Sequence, residues 1–169
     1  MEFKVGDKVV YPNHGVGVIE KIQSRVLSGE ERIFYTLRIL STDSTVMIPV
    51  ANTGTVGLRR VLSKKEIDEV FKVVKSDKVA IYDDWKGRFQ ENSDRMRTGE
   101  ISRVAEVLKG LTFLSQVKTL SYRERKMLDR ARFLVISEIA EASHVPFEKV
   151  EKQIDEALAA SMKKKTTDH

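Results

Sequence analysis

Ser63-Lys64-Lys65-Glu66-Ile67-Asp68-Glu69-Val70-Phe71-Lys72-Val73-Val74 is the stretch at which the chain changes its hydrophobic period. Ser63 and Glu66 stand three apart at its start, the spacing of a capping box in which each side chain satisfies the other residue's backbone donor. Ile67, Val70, Phe71 and Val74 then recur at intervals of three and four, the repeat of one helical face. Upstream the apolar residues alternate; downstream they keep the helical repeat. The sequence therefore predicts an α+β protein with a first domain over residues 1–62, a second over 63–169, and a linker around Arg60 to Ser63.

Working back from Ser63, Thr45 to Val50 places Val46, Ile48 and Val50 on one face of a strand. Pro49 has no N–H for a ladder, so this strand belongs at a sheet edge or end. Ile33 to Leu40 alternates as a half-buried strand. Ser28-Gly29 marks a reversal, and Pro12-Asn13-His14-Gly15 marks a turn between Lys8–Tyr11 and Gly15–Ile19. Short strands and tight turns in some 60 residues predict a small β-barrel or strongly bent sheet.

Working forward, a second helix is predicted from about Asp84 to Arg97, stopped by Gly99. A third follows from about Glu100, with Ile101, Val104, Leu108 and Leu111 in one stripe. Ser121-Tyr122-Arg123-Glu124 is a second capping box and opens a long helix carrying Leu128, Ala131, Val135 and Ile139. Pro146 suits the first turn of the last helix, whose buried face is Phe147, Val150, Ile154 and Leu158. The second domain is thus an all-α bundle of about five helices.

Composition excludes several classes of function. The 169 residues are 41% hydrophobic and 33% charged, the balance of an ordinary globular chain. There is no cysteine, which removes disulfides, thiolate metal sites and cysteine nucleophiles. Met1 to Asp7 lacks the apolar core of a signal peptide, and the densest apolar run, Phe133 to Ile136, is far too short to span a bilayer. The expectation is a cytoplasmic protein without a membrane partner. Thirty basic against 25 acidic residues leave a net charge of +5, compatible with a polyanionic partner. Arg123, Arg125, Lys126, Arg130 and Arg132 cluster against Glu124 and Asp129, and Lys163-Lys164-Lys165 forms a basic tail.

No catalytic constellation is present. His14, His144 and His169 have no metal-ligand spacing. Gly15 and Gly17 lack the spacing of a phosphate-cradling loop. Asp83-Asp84 reads as a helix cap. The expectation is a non-enzyme with no cofactor, no catalytic residues and no metal site.

The single tryptophan lies in Ile81-Tyr82-Asp83-Asp84-Trp85-Lys86-Gly87-Arg88-Phe89. Asp83 or Asp84 can cap the helix, which places Trp85 in its first turn with Arg88 and Phe89 one turn on. Two readings stay open on spacing alone. Trp85 and Phe89 pack inward with Met96, or Trp85 is an exposed plate for nucleic acid with Lys86 and Arg88 on phosphates.

Phe3 to Gly17 (Phe-Lys-Val-Gly-Asp-Lys-Val-Val-Tyr-Pro-Asn-His-Gly-Val-Gly), Ile48-Pro49-Val50, Val56-Gly57-Leu58-Arg59, Asp84-Trp85, Val104-Ala105-Glu106-Val107 and Ser121-x-x-Glu124-Arg125-Lys126-Met127-Leu128 together resemble the CarD/CdnL family of bacterial transcription factors. The match runs in order over nearly the whole chain, and its N-terminal part also looks like the polymerase-binding module of transcription-repair coupling factors. The resemblance implies a Tudor-like N-terminal domain that docks on the RNA polymerase β subunit, and a helical domain that contacts promoter DNA without reading its sequence. It implies that Trp85 wedges into the minor groove at the upstream edge of the open bubble and stabilises the open complex. By position it assigns Lys86, Arg88, Arg125 and Lys126 to DNA, and Arg25, Met47 and Ile48 to polymerase. The expected oligomeric state is a monomer. The family often carries a basic residue where this chain has Gly87 and Met47.

Two other functions compete. One is a protein-interaction or reader module using Tyr11, Phe34 and Tyr35, with Trp85 structural. The other is a nucleic-acid chaperone driven by charge alone, which predicts steep salt dependence and indifference to polymerase.

Overall fold

In the computed structural model the described residues are 2–76 and 85–167, with side chains described for 2–76 and 86–162. The chain divides into two compact units, Met1–Val61 and Leu62–His169. The first holds the strands and the second the long helices, the α+β class expected from the change of period.

In the first unit, β1 (Lys8–Tyr11), β2 (Gly15–Leu27), β3 (Glu30–Ile39), β4 (Thr45–Pro49) and β5 (Arg59–Arg60) form one sheet in the order β4-β3-β2-β1-β5. Every neighbouring pair is antiparallel. β4 is an edge strand, as the missing donor of Pro49 requires. Ser28 and Gly29 join β2 to β3 with φ of 52° and 80°. Two successive positive-φ residues make the turn whose twist matches that of paired strands. A register shift between Ile19 and Lys21 interrupts the β2–β3 ladder, and such a bulge bends the strand that carries it.

The core of this unit is Phe3, Val9, Ile19, Tyr35, Leu37, Ile39, Ile48 and Leu58. Tyr35 is completely buried; its hydroxyl accepts a 3.2 Å hydrogen bond from the Phe3 N–H, and the two rings meet edge to face at 5.8 Å. Between β4 and β5 the chain forms a 3-10 turn, Val50–Asn52, and a short helix, α1 (Thr53–Val56). Its four residues are too few to show a helical period, and Gly57 ends it at φ 75°.

The second unit contains α2 (Lys64–Lys75), α3 (Trp85–Arg97), α4 (Ile101–Val117), α5 (Tyr122–Ser143) and α6 (Phe147–Thr167). The capping box that opens α2 is formed: Ser63 Oγ accepts from the Glu66 N–H at 3.3 Å and Glu66 Oε1 from the Ser63 N–H at 3.1 Å. Val70 and Val74 of α2, the predicted α4 stripe Ile101, Val104, Leu108 and Leu111, and Val150, Ile154 and Leu158 of α6 converge on one core. Gly99, at φ 72°, separates α3 from α4.

Two buried ionic side chains tie this unit at points that the apolar pattern leaves open. Glu138, 2% exposed, accepts a 3.0 Å hydrogen bond from the Leu62 N–H, just ahead of α2. Lys109, also 2% exposed, donates to the carbonyls of Val73 and Ser76 where α2 ends. An ammonium there adds a charged donor to two carbonyls at the negative end of the helix.

Candidate nucleic-acid interface

Trp85 is the first residue of α3. Its indole, the proposed caps Asp83 and Asp84, the tail Lys163 to Lys165 and His169 lie outside the described side chains. Lys86 is exposed beside it.

Arg88 faces the other way. It was expected on a phosphate, but it is 4% exposed and forks onto Glu124, itself 2% exposed, through Nε to Oε2 at 2.8 Å and Nη2 to Oε1 at 3.1 Å. This corrects the sequence-based assignment. The charge suggested solvent, whereas a planar guanidinium matches a carboxylate in two parallel bonds and can be buried when so matched. The partner stands 36 positions away, beyond any local pattern.

Glu124 is held on its own side as well. Ser121 Oγ accepts from the Glu124 N–H at 3.2 Å and lies 3.4 Å from its Oε1. Burial pushes the Glu124 carboxyl up, but hydrogen bonding and charge from Arg88, with hydrogen bonds from the Ser121 hydroxyl and backbone, outweigh it and hold the group below the usual carboxylate range.

A second contact joins the same two helix starts: the Arg123 guanidinium of α5 stands 5.4 Å from the centre of the Phe89 ring of α3. Tyr122, Arg123, Arg125 and Lys126 are all exposed at the beginning of α5. Tyr122 is 64% exposed, and the Lys126 amine sits 4.8 Å over its ring. Arg125 lines a shallow depression with the end of α4 and the connection after it, Ser115 to Leu120. The tertiary structure thus joins the turn that begins with Trp85 to a basic helix start. Tyr122 is an addition that its place inside a capping box concealed.

The residues assigned to polymerase divide. Arg25 is exposed on β2, and Met47 is half-buried on β4. Arg25 pairs with Arg32 and Met47 with Thr36. Arg32 and Thr36 share parity on β3, so Arg25 and Met47 lie on the same face, opposite the one that carries Tyr35 and Leu37. Gln23, whose amide donates to Thr36 Oγ1 at 3.3 Å, belongs to this outer face. Ile48 does not: it is 3% exposed in the core. Its assignment is corrected by strand alternation, which turns residue 48 inward when residue 47 faces out. Beyond the core, the β2–β3 ribbon exposes Val26, Leu27 and Ile33.

An aromatic cage from Tyr11, Phe34 and Tyr35 is not formed. Tyr35 is sealed in the core, and Tyr11 packs against that core with its ring edge-on to His14 at 4.6 Å. Among the described residues no cluster of three or more metal-ligating side chains occurs, and no helix is long and apolar enough to cross a membrane.

Comparison with known proteins covers both units. Residues 3–62 match the family model for the CarD-like/TRCF RID domain, and residues 69–155 match the model for the CarD C-terminal domain. YdeB of Bacillus subtilis, named as a candidate transcription factor, is 37% identical over 140 residues, which are 81% of this chain and 90% of the relative. Among solved structures, the N-terminal domain of Myxococcus xanthus CarD is 36% identical, with a TM-score of 0.31, over 36% of this chain and 81% of that one. The N-terminal domain of CdnL from Myxococcus xanthus is 44% identical, with a TM-score of 0.33, over 38% and 90%.

Proposed function

We propose, for a chain that belongs to the CarD family of transcription factors, a non-enzymatic role as a monomeric cytoplasmic regulator that binds the RNA polymerase β subunit through its N-terminal unit and stabilises the promoter open complex through its helical unit. The outer sheet face with Arg25 and Met47 is the polymerase surface. Lys86, Arg125 and Lys126 hold phosphates, which look alike whatever the bases, so the DNA contact is independent of sequence. Trp85 enters the minor groove where the upstream edge of the bubble is unstacked.

The observation that carries this reading is the union of two helix starts, the α3 turn beginning with Trp85 and the exposed basic turn of α5, by the Arg88–Glu124 fork. An aromatic plate flanked by cations suits DNA whose bases are separated. It has nothing to stack on in closed duplex, and that difference in affinity is what shifts a two-state equilibrium. Docking on polymerase raises the effective concentration of otherwise weak DNA contacts.

The test is the lifetime of competitor-resistant polymerase–promoter complexes without protein, with wild type and with Trp85→Ala. A stacking contact of roughly 1–3 kcal/mol corresponds to about 5- to 150-fold in the open–closed equilibrium. Wild type should lengthen the lifetime, and folded, polymerase-bound Trp85→Ala should lose most of that effect. A variant that lengthens it as much as wild type refutes the wedge.

A further inference from the structure

We propose that Glu124, acting through Arg88, is the positioning residue that sets the orientation of the helical turn bearing Trp85; the proposal rests on the wedge reading. α3 is poor in apolar anchors. Among its described side chains Met96, in the last turn, is the buried hydrophobic one, and Phe89 is only half-buried. Apolar contact is non-directional, so a half-buried ring fixes the first turn of α3 less sharply than a directional bond does.

The fork supplies that direction. Two parallel bonds from Nε and Nη2 to the two oxygens of one carboxylate specify direction and plane together with distance. A single ammonium would specify distance alone. The acceptor is itself immobilised, because Glu124 lies in the first turn of α5 and its carboxylate is also bound by Ser121. The cap of one helix therefore serves as the seat of another. Arg88 is one turn from Trp85, so a tilt of that turn moves the tryptophan directly. Arg123 over Phe89 adds attraction between the helix starts without the same planar constraint.

The experiment uses the full chain with Arg88→Lys, Glu124→Gln, the apolar pair Arg88→Met/Glu124→Leu, and Trp85→Ala. Because Trp85 is the only tryptophan, its time-resolved fluorescence anisotropy reports the turn directly. Polymerase affinity and open-complex lifetime are measured on the same samples, well below the melting temperature. Arg88→Lys should increase local motion of Trp85, leave polymerase affinity unchanged and lose more than half of the logarithmic gain in lifetime. Should a single variant fail to fold, the apolar pair decides, since it leaves no buried charge and still lacks the fork.

A folded Arg88→Lys or apolar pair with wild-type anisotropy and a full gain in lifetime overturns the positioning role while Trp85→Ala still supports the wedge. Increased Trp85 motion with an undiminished lifetime overturns it too. If Trp85→Ala itself retains the full gain, the wedge reading has failed and the positioning role falls with it.

Discussion

Removing one partner of the Arg88–Glu124 pair should cost far more than removing both. The groups are 4% and 2% exposed, so solvent screening does not weaken their interaction as it would at the surface. Arg88→Met leaves the Glu124 carboxylate buried with Ser121 and the positive end of α5 as its remaining support. Breaking a buried pair from one side costs roughly 3–5 kcal/mol, and that residual support favours about 3 kcal/mol here. Glu124→Leu should cost a similar amount. The double variant should lie within about 1 kcal/mol of wild type, because apolar groups of similar volume carry no desolvation penalty. The coupling energy is then about 5–7 kcal/mol, well above that of exposed pairs. Urea unfolding followed by Trp85 emission and by helical circular dichroism, both dominated by the helical unit, measures it. Protons give a second check. The native carboxyl lies below its ordinary value, so the stabilisation is complete above the ordinary carboxylate pKa of about 4.3 and is lost as pH falls through the lower native value. The double variant should lack that acid-dependent component. Single variants costing under about 1 kcal/mol, or a double variant costing their sum, would refute the reasoning.

Two further outcomes test the neighbouring surfaces. In Gly17→Ala the new Cβ would lie 2.7 Å from Leu37 Cδ1 and 2.9 Å from the Arg38 carbonyl oxygen. The backbone oxygen cannot rotate away and Leu37 is sealed in the core, so the N-terminal unit should lose about 1–3 kcal/mol, read from amide exchange in β1 to β3; a loss under about 0.5 kcal/mol would show that the sheet opens there at little cost. Arg125→Ala/Lys126→Ala should weaken duplex binding equally on unrelated sequences and reduce the slope of log K against log salt by about 2, near 0.9 per lost phosphate contact. An unchanged slope would remove the start of α5 from the DNA surface.

Much of the architecture was legible because it is written locally. A hairpin needs two residues that tolerate positive φ, and Ser28-Gly29 supplies them. An edge strand is betrayed by one missing N–H, at Pro49. The start of α2 is a reciprocal bond between residues three apart. Helix α1 escaped notice because a single turn carries no period. The site was less legible for a related reason: Arg25 and Met47 are 22 positions apart in the chain, and only the ladders through β3 put them on one face.

Sequence by itself determined the class of the fold, the change from sheet to helices near Ser63, the helix starts and the residue types available for binding. These follow from steric and hydrogen-bond preferences that act within a few residues. Only the tertiary structure decided which of those residues face a partner. Arg88 and Arg125 are the same side chain on amphipathic helices, but one is withdrawn by a carboxylate 36 positions away and the other is left at the surface. Burial of a charge depends on whether a matched counter-charge arrives, and that is settled by how the helices pack.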